Sequence, residues 1–167
     1  MLGVKKLIFT LAAFGGLAAV ALQLDFQKFG TVSACAFCRE EVLSTQVFYR
    51  GDLVLGVLTH KPAAPGHVLI VPKRHVERFE DLTAEEIGEI GDAIKKIDRA
   101  VRSIFGNADY ALLQKNGKGA GQSVPHVHFH YLPATRFLPV RLFISPWLKP
   151  LSAEEMKCLR ESLARSF

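Results

Sequence analysis

The chain has 167 residues, enough for one domain and too few for two ordinary ones. Apolar residues make up 49% and charged residues 22%, which excludes a disordered tail, a collagen-like rod and a multi-span membrane protein. Three cysteines are too few for a disulfide scaffold, and a net charge of +5 fits ordinary solubility; it allows a mild preference for anionic, phosphate-bearing ligands, and no nucleic-acid partner is expected.

Lys5 and Lys6 precede an uncharged run from Leu7 to Leu24, which Asp25 and Lys28 follow. As a helix this run would be about 27 Å long, just enough to cross a thin bilayer. Three readings stand: an uncleaved membrane anchor, a signal cleaved near Ala19-Val20-Ala21, or an upstream extension with no export role. Residues 1–24 are therefore set apart as an N-terminal apolar segment. The chain is expected to be membrane-anchored through it, or cytoplasmic if it is no export signal, with the side of the membrane open.

Val47-Phe48-Tyr49, the turn Arg50-Gly51-Asp52 and Leu53 to Leu58 predict a β-hairpin. Pro62-Ala63-Ala64-Pro65-Gly66 is a turn before an apolar strand, His67 to Val71. Thr83 with Glu86 three residues on makes a capping box. Ile87, Ile90, Ile94, Ile97, Val101 and Ile104 then mark one face of a long helix that ends at Gly106. Tyr110 to Gln114 is a short strand, Lys115 to Gln122 a glycine-rich loop, and Val124 to Leu132 another strand. Ser152 and Glu155 cap a final short helix, residues 151–167, behind a main domain spanning 31–150. One long helix among several strands gives an α+β fold with an antiparallel sheet.

Three of the six histidines stand in His126-Val127-His128-Phe129-His130. On a strand, residues i, i+2 and i+4 share a face, about 7 Å apart, so three imidazoles line one surface. The residues alone allow hydrated histidines, a metal-binding stripe or a catalytic stripe. Just upstream, Gly117-Lys118-Gly119-Ala120-Gly121-Gln122-Ser123 offers glycines whose successive N–H groups can cradle a phosphate. A phosphate held against a neutral imidazole favours the catalytic stripe, in which nitrogen attacks phosphorus and one substitution becomes two.

Ala120-Gly121-Gln122-Ser123-Val124-Pro125 running into His126-Val127-His128-Phe129-His130 resembles the signature of the histidine triad (HIT) family. Pro65-Gly66-His67-Val68-Leu69-Ile70-Val71-Pro72-Lys73-Arg74-His75 resembles an earlier block of the same family, in the same order. The resemblance covers about Cys35 to Pro133. It implies a HIT-like antiparallel sheet, a homodimer, and a nucleotide hydrolase or nucleotidyl transferase. The substrates would be nucleoside phosphate esters, phosphoramidates or anhydrides. It makes His128 the transiently nucleotidylated nucleophile, with His130 and His67 in support, and puts Gln122, Ser123 and Gly121 near the phosphates. No metal is needed for that chemistry. The family usually carries Asp or Asn where Thr59 stands, for the ribose, and Asn or Gln where Lys115 stands, beside the α-phosphate. Those two departures weaken the expectation of ordinary mononucleotide specificity.

Cys35-Ala36-Phe37-Cys38 is a CxxC pair, open to reading as buried small residues, a redox pair or half of a zinc site. In the zinc-containing branch that this chain resembles, two histidines complete the site, which implies a structural zinc on Cys35, Cys38, His75 and His126. His60 is expected to be a solvated loop residue and Cys158 a packing residue. A different class of function stays open: a zinc-stabilised nucleotide-binding or scaffold protein with little turnover.

Overall fold

A computed structural model describes residues 35–106, 109–134 and 148–167. Five strands make one antiparallel sheet in the order β1-β2-β3-β5-β4: β1 (Val47–Arg50), β2 (Val54–Leu58), β3 (Val68–Pro72), β4 (Tyr110–Gln114) and β5 (Phe129–Pro133). Among the described residues three α-helices accompany it: α1 (Glu40–Gln46), α2 (Ala84–Phe105) and α3 (Ala153–Ala164). The expected α+β architecture, with one long helix and a short C-terminal one, is what the chain adopts.

β2 and β3 are buried along their whole length, so their alternating side chains fill two cores. Val54, Leu58, Val68 and Ile70 meet Ile90, Ala93, Ile97 and Val101 of α2 on one side, where Met156 and Leu163 of α3 join them. Leu55, Val57, Leu69 and Val71 meet Cys35 and Phe37 on the other. Leu69 pairs directly with His130 of β5, so this second side also receives the imidazoles.

The helix signals are reproduced in detail. The Thr83 side chain accepts from the Glu86 N–H while the Glu86 carboxylate accepts from the Thr83 N–H. Gly106 ends α2 in the left-handed region, and Ser152 and Glu155 form the same box on α3. Ile87 and Ile104, assigned to the apolar face, are 43% and 40% exposed. A helix of about 33 Å overshoots strands of about 17 Å, so its ends leave the sheet.

Three expectations change. The strand drawn from Val124 starts only at Phe129. Pro125 has no N–H, and the backbone after it bonds elsewhere: Val127 N–H donates to Val76 O at 2.6 Å, and His126 O accepts from two side chains. α1 was not anticipated; it buries no residue fully, so it carries no apolar period to read. The expectation of a membrane-anchored chain is corrected: among the described residues no helix is long and apolar enough to cross a membrane, and residues 7–24 lie outside the described residues.

The turn before β3 sets where His67 enters the sheet. Gly66 has φ +80°, and a Cβ there would stand 2.7 Å from Val101 Cγ1 and 3.0 Å from Phe105 Cδ2. Gly66→Ala should therefore lower stability by about 1–3 kcal/mol, read as a lower urea midpoint. An unchanged midpoint would mean that the turn and α2 are not in this contact.

Candidate active site

The backbone bends over residues 124–126 and pairs only from Phe129 onward, yet the side chains from His126 to Phe129 alternate between the two sides. Val127 is buried in the α2-side core and Phe129 packs against it. His126, His128 and His130 turn to the other side, and they are not a surface stripe: His126 is fully buried and His128 is 4% exposed. The rings are closer than strand spacing alone gives, with His128 and His130 centroids 5.0 Å apart. Phe37, between the two cysteines, packs edge-on against both His126 and His128.

Hydrogen bonds to backbone groups fix the tautomers. The Ala63 N–H donates to His67 Nδ1 at 3.0 Å, and an amide nitrogen can only donate. Neutral His67 therefore carries its proton on Nε2, which lies 2.9 Å from His130 Nδ1 and donates to it. His130 is then an acceptor at Nδ1 and a donor at Nε2. At His128, Nδ1 lies 2.7 Å from His126 O, which can only accept. His128 thus holds its proton on Nδ1 and an open lone pair on Nε2. Among the described residues, neither His128 Nε2 nor His130 Nε2 has a hydrogen-bond partner.

Burial keeps these rings neutral. It pushes His67 down to about 4, helped by the neighbouring His128. It pushes His130 down to about 3, helped by His128, His67 and Lys115. His128 is lowered by burial as well, with its bond to His126 O opposing and the Lys115 charge adding.

The glycine loop is built differently from the expected phosphate cradle. Gly117 N–H donates to Gln122 Oε1 at 2.6 Å, Ala120 and Gln122 N–H to Gly117 O, and Gly121 N–H to Lys118 O. These amides are engaged within the loop. Gln122 is buried, and its side-chain NH₂ donates to Glu77 O and His126 O, so it ties the loop to the histidine segment. Ser123 is exposed, Gly121 is in the left-handed region at φ +80°, and Lys115 and Thr59 are half-buried.

Beside the triad, Cys35, Cys38, His75 and His126 bring four ligand atoms within 4.8 Å of one another. Cys35 Sγ and Cys38 Sγ lie 3.4 and 3.6 Å from His126 Nδ1, and Cys38 Sγ lies 3.3 Å from His75 Nδ1. Zinc bonds to sulfur and nitrogen at tetrahedral angles give a separation of ~3.6 Å, so the cluster fits a metal ion. His126 Nε2–H donates to Pro72 O at 2.9 Å, which leaves Nδ1 as the ligand atom. Burial and the adjacent Cys35 push the Cys38 thiol up to about 11, as expected for paired thiols without a cation. His60 is exposed as expected, whereas Cys158 is exposed rather than packed. The contributions of Phe37, Ala63 N–H and the carbonyls of Pro72 and His126 were not read from sequence. Only Phe37 had a visible signal, an aromatic inside the CxxC.

The two lowered imidazoles have a consequence for stability. His67 and His130 lie below the ordinary value near 6.5, so on acidification the unfolded chain takes up protons first. The stability they contribute is complete above about pH 6.5 and is lost as pH falls, through about 4 for His67 and about 3 for His130. The urea midpoint should drop between about pH 7 and about pH 5, and drop less steeply in His67→Gln. Identical slopes would place the titration elsewhere.

Comparisons with known proteins bear on the family of the chain. Residues 40–137 match the HIT domain. A bis(5'-nucleosyl)-tetraphosphatase of Schizosaccharomyces pombe is 37% identical over 91 residues, 54% of this chain and 50% of that protein. An adenosine 5'-monophosphoramidase of the same yeast is 35% identical over 112 residues, 67% of this chain and 80% of its own length. The chain thus spans only half the length of the tetraphosphatase. The crystal structure of a Zn-bound histidine triad family protein from Mycobacterium smegmatis superposes with a TM-score of 0.61 at 25% identity, covering 81% of this chain and 96% of that one. The paired motifs, the five-stranded sheet and the match across most of the described residues make this chain a member of the HIT family.

Proposed function

We propose that the chain is a nucleotide hydrolase or nucleotidyl transferase whose nucleophile is His128 Nε2. The observation that carries this is the bond from His128 Nδ1–H to His126 O, which leaves the lone pair on the other nitrogen. The activities named for the tetraphosphatase and phosphoramidase relatives support a nucleotide as the substrate.

In the first step the Nε2 lone pair forms a bond to the α-phosphorus as the bond from phosphorus to the leaving group breaks. The leaving group keeps that electron pair. It departs as a phosphate anion, or, if it is an amine, it leaves after taking a proton from water. In the second step a water oxygen bonds to phosphorus, the N–P bond breaks and its electron pair returns to Nε2. The proton from water goes to solvent. His67 holds His130 in its tautomer and touches no reacting atom. Attack by an alcohol or a second phosphate in place of water would make the same step a transfer.

His128→Ala should show no detectable turnover, a loss beyond about a thousandfold. Rapid quenching of wild-type protein with substrate should reveal added nucleoside monophosphate mass, absent in the variant. Turnover within about tenfold of wild type in His128→Ala would remove the nucleophile.

We further propose that Cys35, Cys38, His75 and His126 hold one structural zinc, which takes no part in the chemistry. The thiolate and imidazole donors and their tetrahedral spacing support it. Protein purified without added metal should contain about one equivalent of zinc, and Cys35→Ser should lose both the metal and several degrees of melting temperature. Stable, folded, metal-free protein would contradict this.

A further inference from the structure

β4 and β5 pair antiparallel, with Leu113 opposite His130 and Gln114 opposite Phe129. One step beyond this register sets Lys115 opposite His128. Residues directly opposite each other share a face of the sheet, so Lys115 belongs to the face of His128 and His130. Its side chain runs along Gly121: a Cβ at that glycine would lie 3.4 Å from Lys115 Nζ and 3.7 Å from Cδ. Among the described residues its ammonium meets no carboxylate, whereas Arg74 is paired with Glu86 and Arg78 with Glu80. The same charge is felt at both His128 and His130, where it opposes protonation.

A cation fixed here acts on the charge of whatever leaves phosphorus. The Gly117, Ala120, Gly121 and Gln122 amides are engaged within the loop, so they are not offered to a phosphate, and a nearby side-chain cation gains weight. A polyphosphate leaving group carries anionic oxygens and gains negative charge on the oxygen that departs. An amine leaving group departs neutral after protonation and presents no anionic oxygen.

We infer that Lys115 is the specificity-determining residue of this site, selecting nucleotides whose leaving group is itself a phosphate chain. This rests on His128 being the nucleophile. The Lys115 ammonium pairs with oxygens of the leaving phosphate chain and stabilises the charge that develops as the P–O bond breaks, with no proton passing from it.

The test compares diadenosine tetraphosphate with adenosine 5'-phosphoramidate, using the full chain. Wild type should favour the tetraphosphate. Lys115→Gln should lower kcat/KM for the tetraphosphate by roughly tenfold or more, and for the phosphoramidate by less than about threefold. Lys115→Arg, which keeps the charge, should retain the wild-type ratio; a merely structural role would not be rescued in this substrate-dependent way. Equal losses on both substrates in Lys115→Gln, or an unchanged ratio, would overturn the inference and leave the nucleophile intact. Wild-type protein that turns over neither substrate and gains no nucleotide on His128 would overturn both.

Discussion

The Ala63 amide donates to His67 Nδ1, and it has no other role open to it. The order of the His67–His130 pair follows from that asymmetry. A pair of imidazoles at 2.9 Å could share a proton either way round, but with one nitrogen of His67 committed, His130 must accept. Burial makes this arrangement hold at neutral pH, because it pushes both rings to about 4 and about 3. The constraint begins in the turn Pro62 to Gly66, where His67 N–H also bonds to Ala64 O and fixes the ring against its own loop.

The same device recurs at the two other histidines of the segment. The Pro72 carbonyl takes the His126 Nε2 proton and aims Nδ1 at the thiols. The His126 carbonyl takes the His128 Nδ1 proton and leaves Nε2 open. Two neighbouring imidazoles are thus given opposite tautomers by two backbone oxygens. One short stretch thereby serves the cysteine cluster and the proposed reaction centre together. Phe37 spans both rings, and Gln122 holds His126 O from the loop side. Damage to the cluster should therefore reach the triad through packed atoms, because both belong to one wall of the sheet.

Local signals were legible wherever a short-range rule decides. Thr83 with Glu86, Ser152 with Glu155, Gly106 after α2 and the Arg50-Gly51-Asp52 turn lie where their chemistry puts them. The alternation from His126 to His130 correctly put the three imidazoles on the side opposite Val127, and the two histidines that the family resemblance implied for the CxxC lie beside it. What failed depended on partners distant in sequence. The chain bends before Phe129, and its backbone bonds there go to Val124, to Val76 and to side chains, which no periodicity shows. The burial of His128 comes from Phe37 and the second core. Glycines in the loop suggested free amides, but Gln122 Oε1 takes the Gly117 N–H and Lys118 O takes the Gly121 N–H. The short helix α1 lacks a buried residue, so its position follows from its neighbours rather than from its own pattern.

The measurement that bears most directly on this account is the protonation pattern of the imidazole nitrogens, read by long-range proton–nitrogen NMR on folded protein near neutral pH. The account predicts protons on His67 Nε2, His128 Nδ1 and His130 Nε2, with His128 Nε2 bare. A proton on His128 Nε2, or on His67 Nδ1, would contradict it, because the chain of backbone-fixed tautomers would then not exist.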